Sequence, residues 1–151
     1  MKLNVQVNRG LDGKFQKLSN MLEGYRDEYL ERMGFELVAN SPSDTGTYIT
    51  NHNIGTSEVS ATLEQQGQRR PRGTGPFDHP NHSLYVQQGY EKLLADIAAL
   101  PTETMRVVFS NATTYQDEVE YEHGYAPYGR TSREHSRIAQ EAAEAVKSRN
   151  R

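Results

Sequence analysis

Cysteine is absent from this 151-residue chain, so disulfide frameworks, thiolate metal sites and cysteine nucleophiles are excluded. Tryptophan is absent as well. Hydrophobic residues make up only 34%, with a mean hydropathy of -0.85. A chain of this length reads as one domain, with a modest core that long exposed segments or neighbouring subunits complete. No apolar run approaches membrane-spanning length, and Met1-Lys2-Leu3-Asn4-Val5 lacks the apolar core of a secretory signal. The expectation is therefore a soluble protein made in a cytoplasm, with no membrane partner. A net charge of -3 gives no global attraction to nucleic acid, so any such contact has to be local. Missing too are a phosphate-cradling Gly-Lys-Ser/Thr loop, a Gly-x-Ser-x-Gly elbow and a His-Glu-x-x-His helix.

What the chain does contain is a clear order of elements. Leu3 to Val7 alternates apolar and polar, as a short half-buried strand does. After Gly10, the residues Leu11, Phe15, Leu18, Leu22, Tyr25, Tyr29 and Met33 fall at spacings of four and three. That spacing predicts one stripe along a helix of about 25 residues, fraying through Gly34–Val38 and ending before Pro42. Ser41-Pro42-Ser43-Asp44-Thr45-Gly46 is turn punctuation: Pro42 biases Ser41 away from helical dihedrals, Asp44 and Thr45 can bond their own backbone, and Gly46 permits a positive φ. Two strands are expected next, Thr47–Ile54 and Ser57–Leu63, joined at Gly55. The aperiodic stretch from about 64 to 83 reads as a long loop or arm. Leu84–Leu100 predicts a helix with Leu84, Tyr90, Leu93, Leu94, Ile97 and Leu100 on one face. A strand follows over Met105–Phe109, Tyr115–His123 is ambiguous between strand and helical turn, and Ser132 to about Lys147 predicts a closing helix.

Candidate chemistry is sparse. His79 and His82 lie three apart, but Pro80 prevents a regular helix between them and no third ligand sits at a recognisable spacing, so no metal is expected. Glu118, Glu120, Glu122 and His123 form an acidic cluster with the ingredients of an acid–base pair, which requires a cleft to perturb them. Solvated or subunit-contact charge is the simpler reading, and neither a catalytic residue nor a cofactor is assigned. Arg69, Arg70 and Arg72 place three guanidiniums in a glycine-flanked loop, suited to DNA phosphates or an acidic partner. Tyr115, Tyr121, Tyr125 and Tyr128 crowd a short Gly-Pro-containing stretch, and with Glu120 read as a contact surface, since Tyr offers large area with a polar tip.

In sum the chain resembles the neck and tail-completion (head–tail joining) proteins of tailed bacteriophages. The likeness rests on the opening strand and long helix, on Ser41-Pro42-Ser43-Asp44-Thr45-Gly46 against the family's Ala/Ser-Pro-x-Asp-Thr-Gly turn, and on Val107–Ala126. In the last stretch a strand ending in Asn is followed by Tyr115-Gln116-Asp117-Glu118-Val119-Glu120-Tyr121, then by Gly124 and Ala126-Pro127. Thr47 and Tyr48 stand where the family usually has a basic residue and a Leu, and Glu122-His123 interrupts its Glu-Tyr-Gly unit. The resemblance implies an α+β fold, in which a small, mainly antiparallel sheet is packed by a long N-terminal helix, a middle helix and a C-terminal helix. It also implies a homo-oligomeric ring, hexameric by preference, in the virion neck. Its partners there would be a portal-side connector or adaptor and a tail terminator or tail tube protein, with viral DNA passing through. The alternative from the residues alone is a small nucleic-acid-binding module using the Arg69–Arg72 loop.

Overall fold

Spacings of four and three carry helix α1 (Arg9–Ala39) through 31 residues in the computed structural model, which describes residues 9–150. The strand expected over Leu3–Val7 lies outside the described residues. No fraying occurs at Gly34–Val38, because Leu37 and Val38 are fully buried and Gly34 lets Leu93 close in. The Ser41 hydroxyl donates to the Leu37 carbonyl at 2.7 Å, and Pro42, with no amide hydrogen to offer, ends the helix.

The buried face of α1 is not the stripe read from the sequence. Arg26, Leu30, Gly34, Leu37 and Val38 turn inward, while Tyr25, Tyr29 and Met33 are half-buried and Leu18 and Leu22 are exposed. Periodicity fixes the pitch of an apolar row, but two adjacent rows share that pitch, and the packing partner selects between them. Arg26 is held inward by the carbonyls of Pro101, Thr102 and Thr104 at 2.8, 3.2 and 3.0 Å.

The expected hairpin does not form. Ile49–Asn51 makes a single 3-10 turn, and only His52–Gly55 becomes a strand, β1. Its partner is β2 (Val108–Asn111), antiparallel, with His52 opposite Asn111 and Ile54 opposite Phe109. Ser57–Leu63 is largely exposed and makes one parallel bridge, Leu63 to Thr113. Phe109 of β2 packs against the core, whereas Val59, Ala61 and Leu63 of that stretch do not join it. Strand β2 also starts later than expected, at Val108.

Helix α2 (His82–Ala98) explains why the sheet stops at two strands. Lys92 and Asp96, one turn apart, satisfy the outer edge of β1: the Lys92 ammonium donates to the His52 carbonyl at 2.8 Å, and Asp96 accepts the Ile54 amide at 3.0 Å. The core lies between α1, α2 and the sheet, and is built on Leu30, Val38, Ile49, Ile54, Leu93 and Ile97. Leu84 points outward instead of joining the α2 face. The ambiguous segment settles as a π-helical turn, Glu118–Glu122. The tail is two helices rather than one, α3 (Pro127–Arg133) and α4 (His135–Arg149), with Ile138, Ala142 and Val146 of α4 buried. The fold is α+β, as expected, with helices dominating a minimal antiparallel sheet.

Helix α2 crosses closest at Gly89, where an added Cβ would stand 2.5 Å from the Ile49 carbonyl oxygen. Gly89→Ala is expected to destabilise the protein by about 1–3 kcal/mol through overpacking, despite the better helix propensity of Ala. Urea unfolding checks this, and an unchanged or raised midpoint would contradict the close approach.

Candidate functional site

The turn after α1 is built from small polar residues that bury their hydroxyls. Ser41, Ser43, Thr45 and Thr47 are all buried, and each finds a hydrogen-bond partner. Gly46 adopts φ +83°, the left-handed conformation its position in the sequence suggested, and a Cβ there would meet the Tyr85 ring at 2.6 Å. Residues 64–81 form no helix or strand, yet they lie against this turn. The Arg70 amide donates to the Asp44 carbonyl at 2.7 Å, and the Ser43 amide to the Pro76 carbonyl at 2.8 Å. Thr47 Oγ1 both donates to the Gln66 carbonyl and accepts the Gln66 amide, at 2.8 and 2.9 Å.

Opposite the loop stands the π-helical turn, and between the two lies a cleft of about 400 Å³. Pro42, Asp44, Thr45 and Gly46 form one side, Gln65, Arg70 and Pro76 another, and Tyr48, Tyr115, Glu118, Val119, His123 and Tyr125 the rest. The structure thus gathers around one opening the turn, the arginine loop and the tyrosine-rich segment. Two phenols in its wall, Tyr48 and Tyr115, have buried hydroxyls with no hydrogen-bond partner among the described residues. Burial pushes both pKa values up, so both stay protonated donors. An unmet buried donor costs about 1–3 kcal/mol, and with hydroxyls closed off from solvent these phenols are a local cost the fold carries in the cleft wall. Its lining mixes the charges of Asp44, Arg70 and Glu118 with apolar and aromatic groups, so the cleft offers both polar and apolar contact.

Behind the cleft lies a polar cluster that the sequence did not reveal. His52 is fully buried, with Nε2 2.8 Å from Ser41 Oγ and Nδ1 3.0 and 3.1 Å from Tyr128 Oη and Asn111 Nδ2. The directions follow from the neighbours. Ser41 gives its proton to Leu37 O, so it accepts from Nε2–H, and Nδ1 is left to accept from Tyr128 and Asn111. Asn111 Nδ2 also donates to Tyr48 O, while its Oδ1 accepts from the Thr113 amide and hydroxyl. Burial, with a smaller contribution from the Lys92 ammonium, pushes the His52 pKa down to about 3. A serine–histidine pair of this kind superficially resembles a nucleophile and its base. Here Nε2 carries the proton and Ser41 is sealed from solvent, so the pair braces the fold and cannot activate the hydroxyl.

The remaining candidate residues divide between contact and internal duties. Glu120 accepts the Tyr128 and Gly129 amides at 3.0 and 2.8 Å, capping α3 behind Ala126, which sits at φ +42°. That engagement occupies both Glu120 carboxylate oxygens, whereas Glu118 and His123 line the cleft. Tyr128 faces His52, Tyr115 and Tyr125 line the cleft, and Tyr121 is 78% exposed. Arg70 is held by the Thr74 carbonyl and lies 3.9 Å from Asp44. Arg69, 74% exposed, reaches Gln65 and the margin of Asp44, and Arg72 is exposed. His79 uses both ring nitrogens, on Gln68 O and the Asn81 amide, and His82 meets Ser43 Oγ. Among the described residues, no group of three or more His, Cys, Asp or Glu is placed to hold a metal.

A periodicity argument cannot find His52, since His-Asn-Ile-Gly offers only one apolar residue to weigh. The available signal was the clustering of Ser41, His52 and Asn111 near strand and helix ends, which acquires meaning only once the chain is folded. No family model, curated protein or solved structure matches the chain.

Two measurements follow from this geometry. Gly46→Val is expected to lower stability by 1 kcal/mol or more, about the cost of a left-handed β-branched residue before the Tyr85 clash is added; an unchanged melting temperature would retire the turn assignment. For His52, the folded pKa lies below the unfolded value of about 6.5, so its contribution to stability is complete above pH 6.5 and is lost as pH falls toward 3. Unfolding free energy should therefore drop with falling pH, most steeply between about pH 5.5 and pH 4, where the slope approaches about 1.4 kcal/mol per pH unit. His52→Gln, less stable at pH 7, should show a correspondingly flatter profile between pH 6.5 and 5.

Proposed function

We propose that this chain is a virion structural protein of a tailed-phage neck, completing the tail or joining it to the head as a subunit of a ring around the DNA channel. The observation that carries the reading is the convergence of the Pro42–Gly46 turn and the Tyr115–Tyr125 segment on one cleft. These are the two stretches on which the resemblance rests, and a shared surface gives both a reason to be present. The order of elements agrees: long helix, turn, strand, a second strand ending in Asn111, the tyrosine and glutamate segment, Ala126-Pro127 and closing helices. A two-stranded sheet is marginal by itself, and subunit contacts are an ordinary way to stabilise such a domain.

In this reading Tyr115, Tyr121 and Tyr125 meet a neighbouring subunit or partner, while Glu120 and Tyr128 shape that surface from within. The partners are further copies of the chain, a hexamer by preference, a portal-side connector or adaptor, and a tail terminator or tube protein. Arg69 and Arg72 present exposed guanidiniums to passing DNA or to an acidic partner, and Arg70 secures the loop that carries them. The activity is assembly, with no chemical step assigned to any residue.

Light scattering and negative-stain imaging of the purified protein test the proposal, with closed rings around a central hole as the expected result. Tyr121→Ser, at a side chain the fold leaves exposed, should keep the melting temperature within about 0.5 kcal/mol of stability yet weaken assembly. Steeply salt-dependent DNA binding by a strict monomer, lost in Arg69→Ala/Arg72→Ala, would replace this reading with that of a nucleic-acid-binding module.

A further inference from the structure

Every described side chain of α1 between Gly13 and Asn20 is exposed, so this part of the helix stands clear of the body. Leu18 and Leu22 are 52% and 49% exposed, and they continue a row that begins, in the sequence, at Leu11 and Phe15. Spacings of four and three are those of a seam between packed helices. No described element covers that seam, and an uncovered apolar row is an interaction surface. Its charge is distinctive too: the sequence there carries Arg9, Lys14 and Lys17 against Asp12 alone.

A receptor of opposite character lies further along the same helix. A groove of about 280 Å³ runs between α1, α2 and α4, floored by Phe35, 50% exposed, and Tyr90, whose rings meet edge to face at 5.5 Å. Glu28, Glu31, Glu36 and Glu141 surround it. Arg32 and Arg137 pair with Glu28, Glu36 and Glu141, but Glu31 has no cationic partner among the described residues. Burial, reinforced by the like charges of Glu28 and Asp27 and only partly offset by Arg149 and Arg32, raises the Glu31 pKa.

We infer that the N-terminal half of α1 from one copy docks into the Phe35–Tyr90 groove of a second copy, with Leu18 and Leu22 on the aromatic floor and Lys14 or Lys17 against Glu31. The same copy's α1 arm cannot fill the groove. Leu18 and Phe35 lie on one continuous helix, separated by about 25 Å of rise, and a helix does not fold back on itself. A donor surface and a receptor surface at different places on one subunit make a head-to-tail contact, which closes into a ring when the rotation allows. This deepens the ring assembly proposed above and rests on it only for that closure.

Sedimentation velocity on the full-length protein tests the contact, with circular dichroism confirming that each variant is folded. Leu18→Glu/Leu22→Glu should weaken self-association about tenfold or more, as should Lys14→Glu/Lys17→Glu and, separately, Glu31→Lys. Mixing the two charge variants should restore assembly, because each arm then meets a groove of opposite sign. Combining all three charge changes in one chain should restore it as well. Rings that persist unchanged in Leu18→Glu/Leu22→Glu would overturn this contact while leaving the ring reading intact. A wild type that stays monomeric at every concentration would overturn both. Loss with the leucine variant but no rescue on mixing would mean that the rows pack symmetrically on each other, and would also overturn the head-to-tail contact.

Discussion

A neutral, completely buried imidazole joins the elements of this fold. Through Nε2, His52 holds the serine that follows α1, and through Nδ1 it receives Tyr128 from α3 and Asn111 from β2. Its carbonyl receives Lys92 from α2. Each hydrogen of the cluster has a single consistent direction, set at one end by the Leu37 carbonyl. Polar networks in a low-dielectric interior specify geometry when every member is satisfied, and become costly when one is removed. With few large apolar side chains available, the chain uses this network to fix element orientations that a richer core would fix by shape alone.

The same economy explains what the sequence did and did not disclose. Helices α1 and α2 and the closing helical region were legible because their apolar residues recur at helical spacing. The turn was legible because Pro42, Asp44 and Gly46 act locally, and Gly46 adopts the positive φ that only local chemistry demands. Pairing across long separations was not. Ser57–Leu63 looked like a strand by composition, but its hydrogen bonds depended on whether β2 and α2 would occupy both edges of β1, and they do. The row buried on α1 was misjudged by one position, because Leu30, Gly34 and Val38 compete with Tyr25, Tyr29 and Met33 at equal pitch. Gly34 contributes nothing to a hydrophobicity count, yet its small size lets Leu93 approach.

The candidate site was legible in parts and illegible as a whole. Turn, arginine loop and tyrosine segment each stood out as unusual, but sequence gave no reason for them to meet. The structure brings them together through backbone bonds: the loop is tied to the turn at Asp44 and Ser43, and the π-helical turn closes the far side. Internal ties also explain why Glu120 and Tyr128, from the same stretch as Tyr121, have different surroundings. One caps a helix, another braces His52, and Tyr121 is left facing solvent.

Arg26 gives α1 a mechanical character. It is the first buried residue described along the helix, and its guanidinium grips three loop carbonyls, of Pro101, Thr102 and Thr104, on the path from α2 to β2. Some 25 Å of stiff helix extends beyond that grip. Arg26 is thus a fulcrum, with about 25 Å of helix on the outer side and about 20 Å on the inner side. A sideways load at the tip bears on the loop that Arg26 holds, and through it on the segment leading into β2, the strand that pairs with His52.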